Sequence, residues 1–206
     1  MNIWHIFCLI AWGLGWVLLL RVPRLKPSPK AAPREDRGIT IVIPARNEAE
    51  RLPHLLGDLA ASRPIDARVI VVDDHSDDDT AELAEQFGFV EVLRAPDLEE
   101  RWVGKTWACH TGARAARPGV LVFLDADVRL RDDALERAIT AWRERRGLLT
   151  IWPFHRVERP YEHLSALFNV TTLMSVGCGS LLPPRRPRGG FGPLMVTSTE
   201  DYSTSG

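Results

Sequence analysis

Two aspartates flank a single alanine at the end of the apolar run "VLVFLDADVRL", Val120 to Leu130. The run reads as a strand buried on both faces, and strand side chains alternate, so Asp125 and Asp127 are expected to project to one side. At roughly 7 Å and an effective dielectric near 20 their repulsion is about 2 kcal/mol, which a cation would offset. The local alternative is that the strand simply ends, Asp127 leads into a turn, and Asp132 or Asp133 starts the next helix.

Three further groups of residues could do chemistry. "PARNE", Pro44 to Glu48, follows an apolar run and opens a helical stretch, where Asn47 could cap the helix or hydrogen-bond a polar ring. "VVDDHSDDDT" ends another apolar run with Asp73 and Asp74, and Asp78 or Asp79 then stands near a helix start, where negative charge suits the dipole. "WVGKTWA" places Lys105 after Gly104 at a helix start, a location that favours phosphate through the ammonium and the backbone N–H groups. Each has a plainer reading: Asp73 and Asp74 as caps, Arg46 and Lys105 as solvated charges, Gly104 as a turn. The order in which they occur together is what favours function.

The elements that must position these residues are legible from periodicity. Apolar runs at "ITIVI", "ARVIVV", "VEVL" and "VLVFL" alternate with amphipathic stretches, the rhythm of a β-α-β-α domain with a mostly parallel sheet. Helices are expected near Ala49–Ala61, Asp78–Phe87, Gly104–Ala116 and Arg131–Arg145. The candidate residues then gather at the carboxyl ends of strands, where open parallel sheets bind ligands. Beyond Gly147, "LLTIWPF" reads as a further strand and "YEHLSALFNVTTLMSV" as an apolar or membrane-facing helix. "GSLLPPRRPRGGFGP" reads as a loop, and "TSTEDYSTSG" as a helix start with Ser198 as its cap.

Composition narrows the class. With 26 basic and 27 acidic side chains, nothing points to a nucleic-acid partner. Three cysteines, Cys8, Cys109 and Cys178, are too few and too scattered for a disulfide framework or a zinc site, and Cys109 with His110 reads as ordinary helix. The segment "IWHIFCLIAWGLGWVLLL", Ile3 to Leu20, would extend about 27 Å as a helix, close to the hydrocarbon thickness of a bilayer. Trp4 and Trp16 could lie near the interfaces, and Arg21, Arg24, Lys26, Lys30 and Arg34 follow before the first acid, Glu35. The positive-inside rule then puts the remainder of the chain in the cytoplasm. Because the basic residues come after the apolar run, and its small-x-small triplet Gly13 to Gly15 lies inside it, an uncleaved anchor is favoured over a signal peptide.

Taken together, "ITIVIPARNEAERLPHLL", "VIVVDDHSDDDT", "GKTWACHTGA" and "VLVFLDADVRL" resemble the nucleotide-binding half of a family 2 glycosyltransferase with the GT-A fold. "GKTWA", "PFHRVERPYEHLSALFN" and "FGPLMVTSTEDYSTSG" are similar to the carotenoid-type branch, the diaponeurosporenoate glycosyltransferases, with hopanoid-associated glycosyltransferases as a near competitor. The resemblance implies inverting transfer from a nucleotide sugar, commonly a UDP-sugar, with Mg2+ or Mn2+ as cofactor. It places Pro44, Ala45 and Glu48 around the nucleoside, Asp73 on the base with Asp74 beside it, and Lys105 near the diphosphate. Asp125 would meet the ribose or a metal-bound water, and Asp127 would ligate the metal.

The expected organisation is a transmembrane anchor at 1–21, a basic, proline-rich linker at 22–38 and a GT-A domain at 39–206. The domain divides into a nucleotide-binding part at 39–145 and an incomplete acceptor part at 146–206. The expected partners are a nucleotide-sugar donor, a lipid acceptor such as a carotenoid or other polyisoprenoid, and the plasma membrane, with the catalytic domain cytoplasmic. The family's catalytic base is an aspartate that follows the "DY" motif; Glu200 and Asp201 precede Tyr202, so the resemblance puts the base beyond Gly206, and His155 reads as structural. Two other classes stay open: a nucleotidyltransferase, whose Gly-rich loop "PARNEAERL" lacks, and a nucleotide-sugar-binding fragment without turnover.

Overall fold

Four parallel strands form the frame: β1 (Ile39–Ala45), β2 (Ala67–Asp73), β3 (Val90–Arg94) and β4 (Val120–Leu124). They are joined through α2 (Leu52–Ala61), α3 (Thr80–Glu85) and α4 (Gly104–Ala115). Beyond β4 come α5 (Ala134–Arg145), β5 (Leu149–Ile151), β6 (Leu194–Ser198) and α6 (Thr199–Thr204). The sheet runs β3-β2-β1-β4-β6-β5, with β6 antiparallel to both neighbours. In this computed structural model the structure describes residues 2–20, 25–26, 38–62, 66–131, 133–152, 172, 190 and 192–205.

Helices cover both faces, which is why β1, β2 and β4 are apolar at nearly every position rather than alternately. On one face Ile41, Ile43, Val69, Val71 and Val122 meet Leu52, Leu55, Leu56 and Leu59 of α2 and Leu135, Ile139 and Trp142 of α5. On the other, Val42, Ile70, Val72, Leu121 and Phe123 meet Trp107 and Ala108 of α4. Gly112 lets α4 lie directly on β1, because a Cβ there would strike the Val42 side chain.

The element types agree with the sequence reading, and the boundaries differ for local reasons. Helix α2 starts at Leu52 rather than Ala49 because side chains across the loop take the N–H groups ahead of it. Glu48 N donates to Thr80 Oγ1 at 2.9 Å and Ala49 N to Asp78 Oδ2 at 3.2 Å. Asn47 does not cap α2; it sits at φ 56° and its Oδ1 accepts from Asp77 N at 2.8 Å. Asp78 accepts from Thr80 N at 3.1 Å, and α3 begins only at Thr80. Ser198 does cap α6, accepting from Asp201 N at 2.9 Å. Strand β6 is not foreseen by the sequence reading: the expected loop ends at Pro193 and the expected helix start begins at Thr197, whereas Leu194–Ser198 pairs along the whole of β4.

By its internal contacts the chain divides into two units, Met1–Leu25 with Phe154–Gly190, and Lys26–Pro153 with Phe191–Gly206. The sheet belongs to the second. In the first, the expected N-terminal helix is present as α1 (Ile3–Leu20). Its side chains are described only as far as Val17, and among the described residues no helix is long and apolar enough to cross a membrane. The expected transmembrane span therefore gains no support from the fold. The apolar helix expected around Leu164 to Val176, His155, Cys178 and most of the basic linker lie outside the described residues, apart from Thr172 in the first and Leu25, Lys26 and Gly38 in the last.

Candidate functional site

The order β2-β1-β4 places the topological switch point of the sheet between β1 and β4, and crevices open at the carboxyl ends of strands at such points. An open cleft of about 390 Å³ lies there. The end of β1 contributes Pro44, Ala45, Arg46 and Glu48, and the residue after β2 contributes Asp74. The start of α4 contributes Gly104 and Lys105, with Ala108 one turn on, and the turn after β4 contributes Asp125, Ala126 and Asp127.

The geometry of the two aspartates corrects the strand argument. Strand β4 ends at Leu124, and Asp125 to Val128 form a turn closed by Val128 N donating to Asp125 O at 3.2 Å. They share the cleft because of this turn, not because of strand alternation. Asp125 is held from behind, its N–H donating to Pro193 O at 3.0 Å as the chain enters β6. Its carboxylate already has a cation: Lys105 Nζ lies 2.8 Å from Asp125 Oδ2. Asp127 is exposed and has no hydrogen-bond or ion-pair partner among the described residues.

Asp74 occupies the other flank. Its Oδ2 lies 2.5 Å from where a Cβ on Gly104 would stand, so the glycine makes room for a carboxylate against the start of α4. The helix dipole favours that placement. Arg46 approaches the same carboxylate at 3.8 Å and His75 at 3.6 Å. The backbone is fixed as well, with Asp74 N donating to Ala45 O at 2.8 Å. Glu48 packs Oε2 into a buried position without a hydrogen bond, its nearest cation being Arg51 at 3.6 Å. An ion pair at that distance leaves the acceptor available to a donor group on a ligand.

Of the residues singled out in the sequence, Pro44, Ala45, Glu48, Asp74, Lys105, Asp125 and Asp127 share this cleft. Asp73 does not line it: the residue is 5% exposed and Oδ1 accepts from Ser76 N at 3.2 Å. Cys109 is an inert neighbour, its thiol pushed up to about 11 by burial.

Two supports of the site were invisible to sequence reasoning. The loop after β1 and the loop after β2 are laced by Asn47 N to Ser76 Oγ at 3.0 Å together with the Asn47, Glu48 and Ala49 contacts above. Thr80 also hydrogen-bonds Asp78, which holds the Asp78 carboxyl below the usual carboxylate range. Behind the Asp125 turn, Arg129 forks onto Asp58 of α2 at 2.7 and 3.0 Å, and Leu130 N joins at 3.0 Å. The partners are far apart in the chain, and no local pattern announces them.

Among the described residues, no group of three or more His, Cys, Asp or Glu side chains could hold a metal ion by itself. Two carboxylates facing an open, polar cleft nevertheless fit Mg2+ or Mn2+, which are commonly bound by one or two carboxylates and completed by substrate phosphates. The donor set is all oxygen and hard, as those ions require.

Residues 40–179 match the family model for glycosyl transferase family 2. The chain is 37% identical over 193 residues to a 4,4'-diaponeurosporenoate glycosyltransferase of Staphylococcus haemolyticus (strain JCSC1435), covering 91% of this chain and 51% of the relative. It is 39% identical over 175 residues to the protein of the same name from Staphylococcus aureus (strain USA300), covering 82% and 46%. The chain thus spans about half the length of the curated relatives it matches. Among solved structures, a Pyrobaculum calidifontis mannosyltransferase in complex with GDP-Man and Mn2+ superposes with a TM-score of 0.63 at 21% identity, over 96% of this chain and 54% of that one. Mycobacterium tuberculosis glucosyl-3-phosphoglycerate synthase in complex with Mn2+, UDP and glucosyl-3-phosphoglycerate gives 0.55 at 21%, over 80% and 57%. At this identity the likeness establishes the shared α/β, GT-A-like fold.

Proposed function

Because the chain belongs to glycosyltransferase family 2, we propose that it moves a sugar, with inversion, from a nucleotide sugar to an apolar lipid acceptor of the carotenoid type. The observation that carries the donor half is the meeting of Glu48, Asp74, Lys105, Asp125 and Asp127, from four separate segments, in one cleft at the switch point. The donor is a UDP-sugar in this reading. Pro44, Ala45 and Glu48 flank the nucleoside, and the orphaned Glu48 oxygen suits a hydroxyl donor. The resemblance assigns Asp73 to the base with Asp74 beside it, but Asp73 is buried behind the cleft, so in this reading it is Asp74, on the cleft wall, that stands next to the base. Lys105 stands at the start of α4, where its ammonium and the helix N–H groups can meet a diphosphate. Asp127 is the direct metal ligand, and Asp125 contacts the ribose or a metal-bound water. A bound Mg2+ or Mn2+ would supply neutralisation of the diphosphate leaving group.

The acceptor class is supported by the name of the Staphylococcus relatives. The exposed apolar side chains of α1, among them Ile3, Trp4, Phe7 and Trp12, support a second element of the reading. In it α1 anchors the chain in the plasma membrane, with the sheet domain on the cytoplasmic side, within reach of a lipid acceptor. The test is transfer: radiolabelled UDP-glucose, Mn2+ and a carotenoid carboxylic acid are incubated with the detergent-solubilised chain. Label entering the organic phase is expected; donor binding without any label transfer would reduce the reading to a donor-binding unit.

A further inference from the structure

Among the described residues, the two cations that line the cleft are already engaged with carboxylates. Arg46 lies 3.8 Å from Asp74 and Lys105 lies 2.8 Å from Asp125. Four acids, Glu48, Asp74, Asp125 and Asp127, face them. Among the described residues, a diphosphate entering this cleft therefore meets a surplus of negative charge and no cation lining it that is free of a carboxylate until one moves or one is added. Lys105 is the one built to move. Its side chain is 58% exposed while that of Asp125 is 17% exposed, and half-solvated pairs of this kind are weak enough to exchange. It is the second residue of α4, so its ammonium lies close to both the Asp125 carboxylate and the N–H groups of the helix start.

We propose that Lys105 is a tethered stand-in for the divalent cation: in the free protein it neutralises Asp125, and on donor binding it leaves Asp125 to the water shell of the cation that Asp127 would ligate and transfers to the diphosphate. The proposal rests on the donor-binding reading above and adds an order to it. Asp125 cannot serve Lys105 and a metal equally well, so metal alone competes with the lysine. Lys105 cannot serve Asp125 and a phosphate equally well, so nucleotide alone competes with the aspartate. Each ligand removes the other's competitor, and the two affinities must then be coupled by the same factor in both directions.

The test separates the two halves with one variant on each side of the pair. Mn2+ binding to the full chain without nucleotide is read from the free-ion electron paramagnetic resonance signal, and UDP binding is read by calorimetry with and without Mn2+. Lys105→Met is expected to bind Mn2+ alone about tenfold more tightly than wild type, and UDP in saturating Mn2+ about tenfold more weakly. Asp125→Asn, which frees the lysine, is expected to bind UDP in the absence of metal more tightly than wild type. A lysine that merely lends positive charge gives the same two shifts additively. In the exchange the metal-free gain of Asp125→Asn requires the freed lysine and is lost in the Lys105→Met background, so additive shifts in the double variant, or no metal-free gain in Asp125→Asn, overturn it. If the wild type binds no UDP even with Mn2+, the donor-binding reading fails and the exchange with it. If it binds UDP with Mn2+ but the variants show no opposed shifts, only the exchange fails.

Discussion

Arg129 and Asp58 show how a single residue pair can brace the turn that carries two cleft aspartates it never touches. Arg129 follows the Asp125 turn by a few residues, and its guanidinium, with Leu130 N, holds the Asp58 carboxylate from two directions. The hydrogen bond from Arg129 is the main reason the Asp58 carboxyl lies below the usual carboxylate range, against the opposing effect of burial. A depressed folded-state value means that the stabilisation is fully present above the ordinary aspartate range and is lost as pH falls through the folded value, below about 3.8. Asp58→Asn should therefore melt a few degrees below wild type at pH 7, with the gap closing as pH is lowered towards 3. A gap that is constant across that range, measured by circular dichroism, would show that the pair contributes nothing through charge. Residue types in the cleft were legible in the sequence because aspartate pairs after apolar strands are unusual. The Lys105–Asp125 contact was not legible, because it depends on where α4 starts relative to the β4 turn. The repulsion inferred between Asp125 and Asp127 is relieved in part by a residue of the chain itself.

At the scale of elements, long apolar strands and amphipathic helices could be read directly because burial on two faces leaves a continuous run and burial on one face leaves a stripe. Strand β4 is the case in point, matching Val120–Leu124 in full. Strand β6 escaped because five residues after a glycine- and proline-rich stretch carry too little pattern to distinguish a strand from a loop. Its consequence for function is direct, since Pro193 at its entry holds the backbone of Asp125. The start of α2 was displaced by three residues because Asp78 and Thr80 of another loop captured the N–H groups ahead of it. Helix α1 is where the proposed anchoring is decided. Its apolar side chains are exposed around the helix, from Ile3 and Trp4 to Trp12 and Trp16. Removing residues 2–20 is expected to move the chain from the salt-washed membrane fraction to the supernatant. Recovery of the intact chain in the supernatant would contradict the anchor.

For the whole molecule, the parallel order β3-β2-β1-β4 dictates where a ligand can bind, and the sequence dictates what kind. Neither alone suffices. The motif order resembles the donor half of a family 2 glycosyltransferase, and the fold brings most of those motifs into a single cleft with Asp73 set behind it. What could not be read was the network that locks the loops together, because its contacts join residues about thirty or more positions apart, as in the hydrogen bonds of Asn47 with Ser76 and Asp77. The central claim is that this cleft binds a nucleotide-sugar donor through Asp127. The most direct measurement is a calorimetric titration of UDP-glucose into the solubilised chain, with and without Mn2+, for wild type and Asp127→Ala. Asp127 is exposed and unpartnered among the described residues, so its removal leaves the fold intact. The expected result is Mn2+-dependent binding in the wild type that weakens by at least about tenfold in Asp127→Ala, the loss of one charged ligand. Unchanged binding of the variant at saturating Mn2+ would contradict the assignment of Asp127, and with it the account of the cleft.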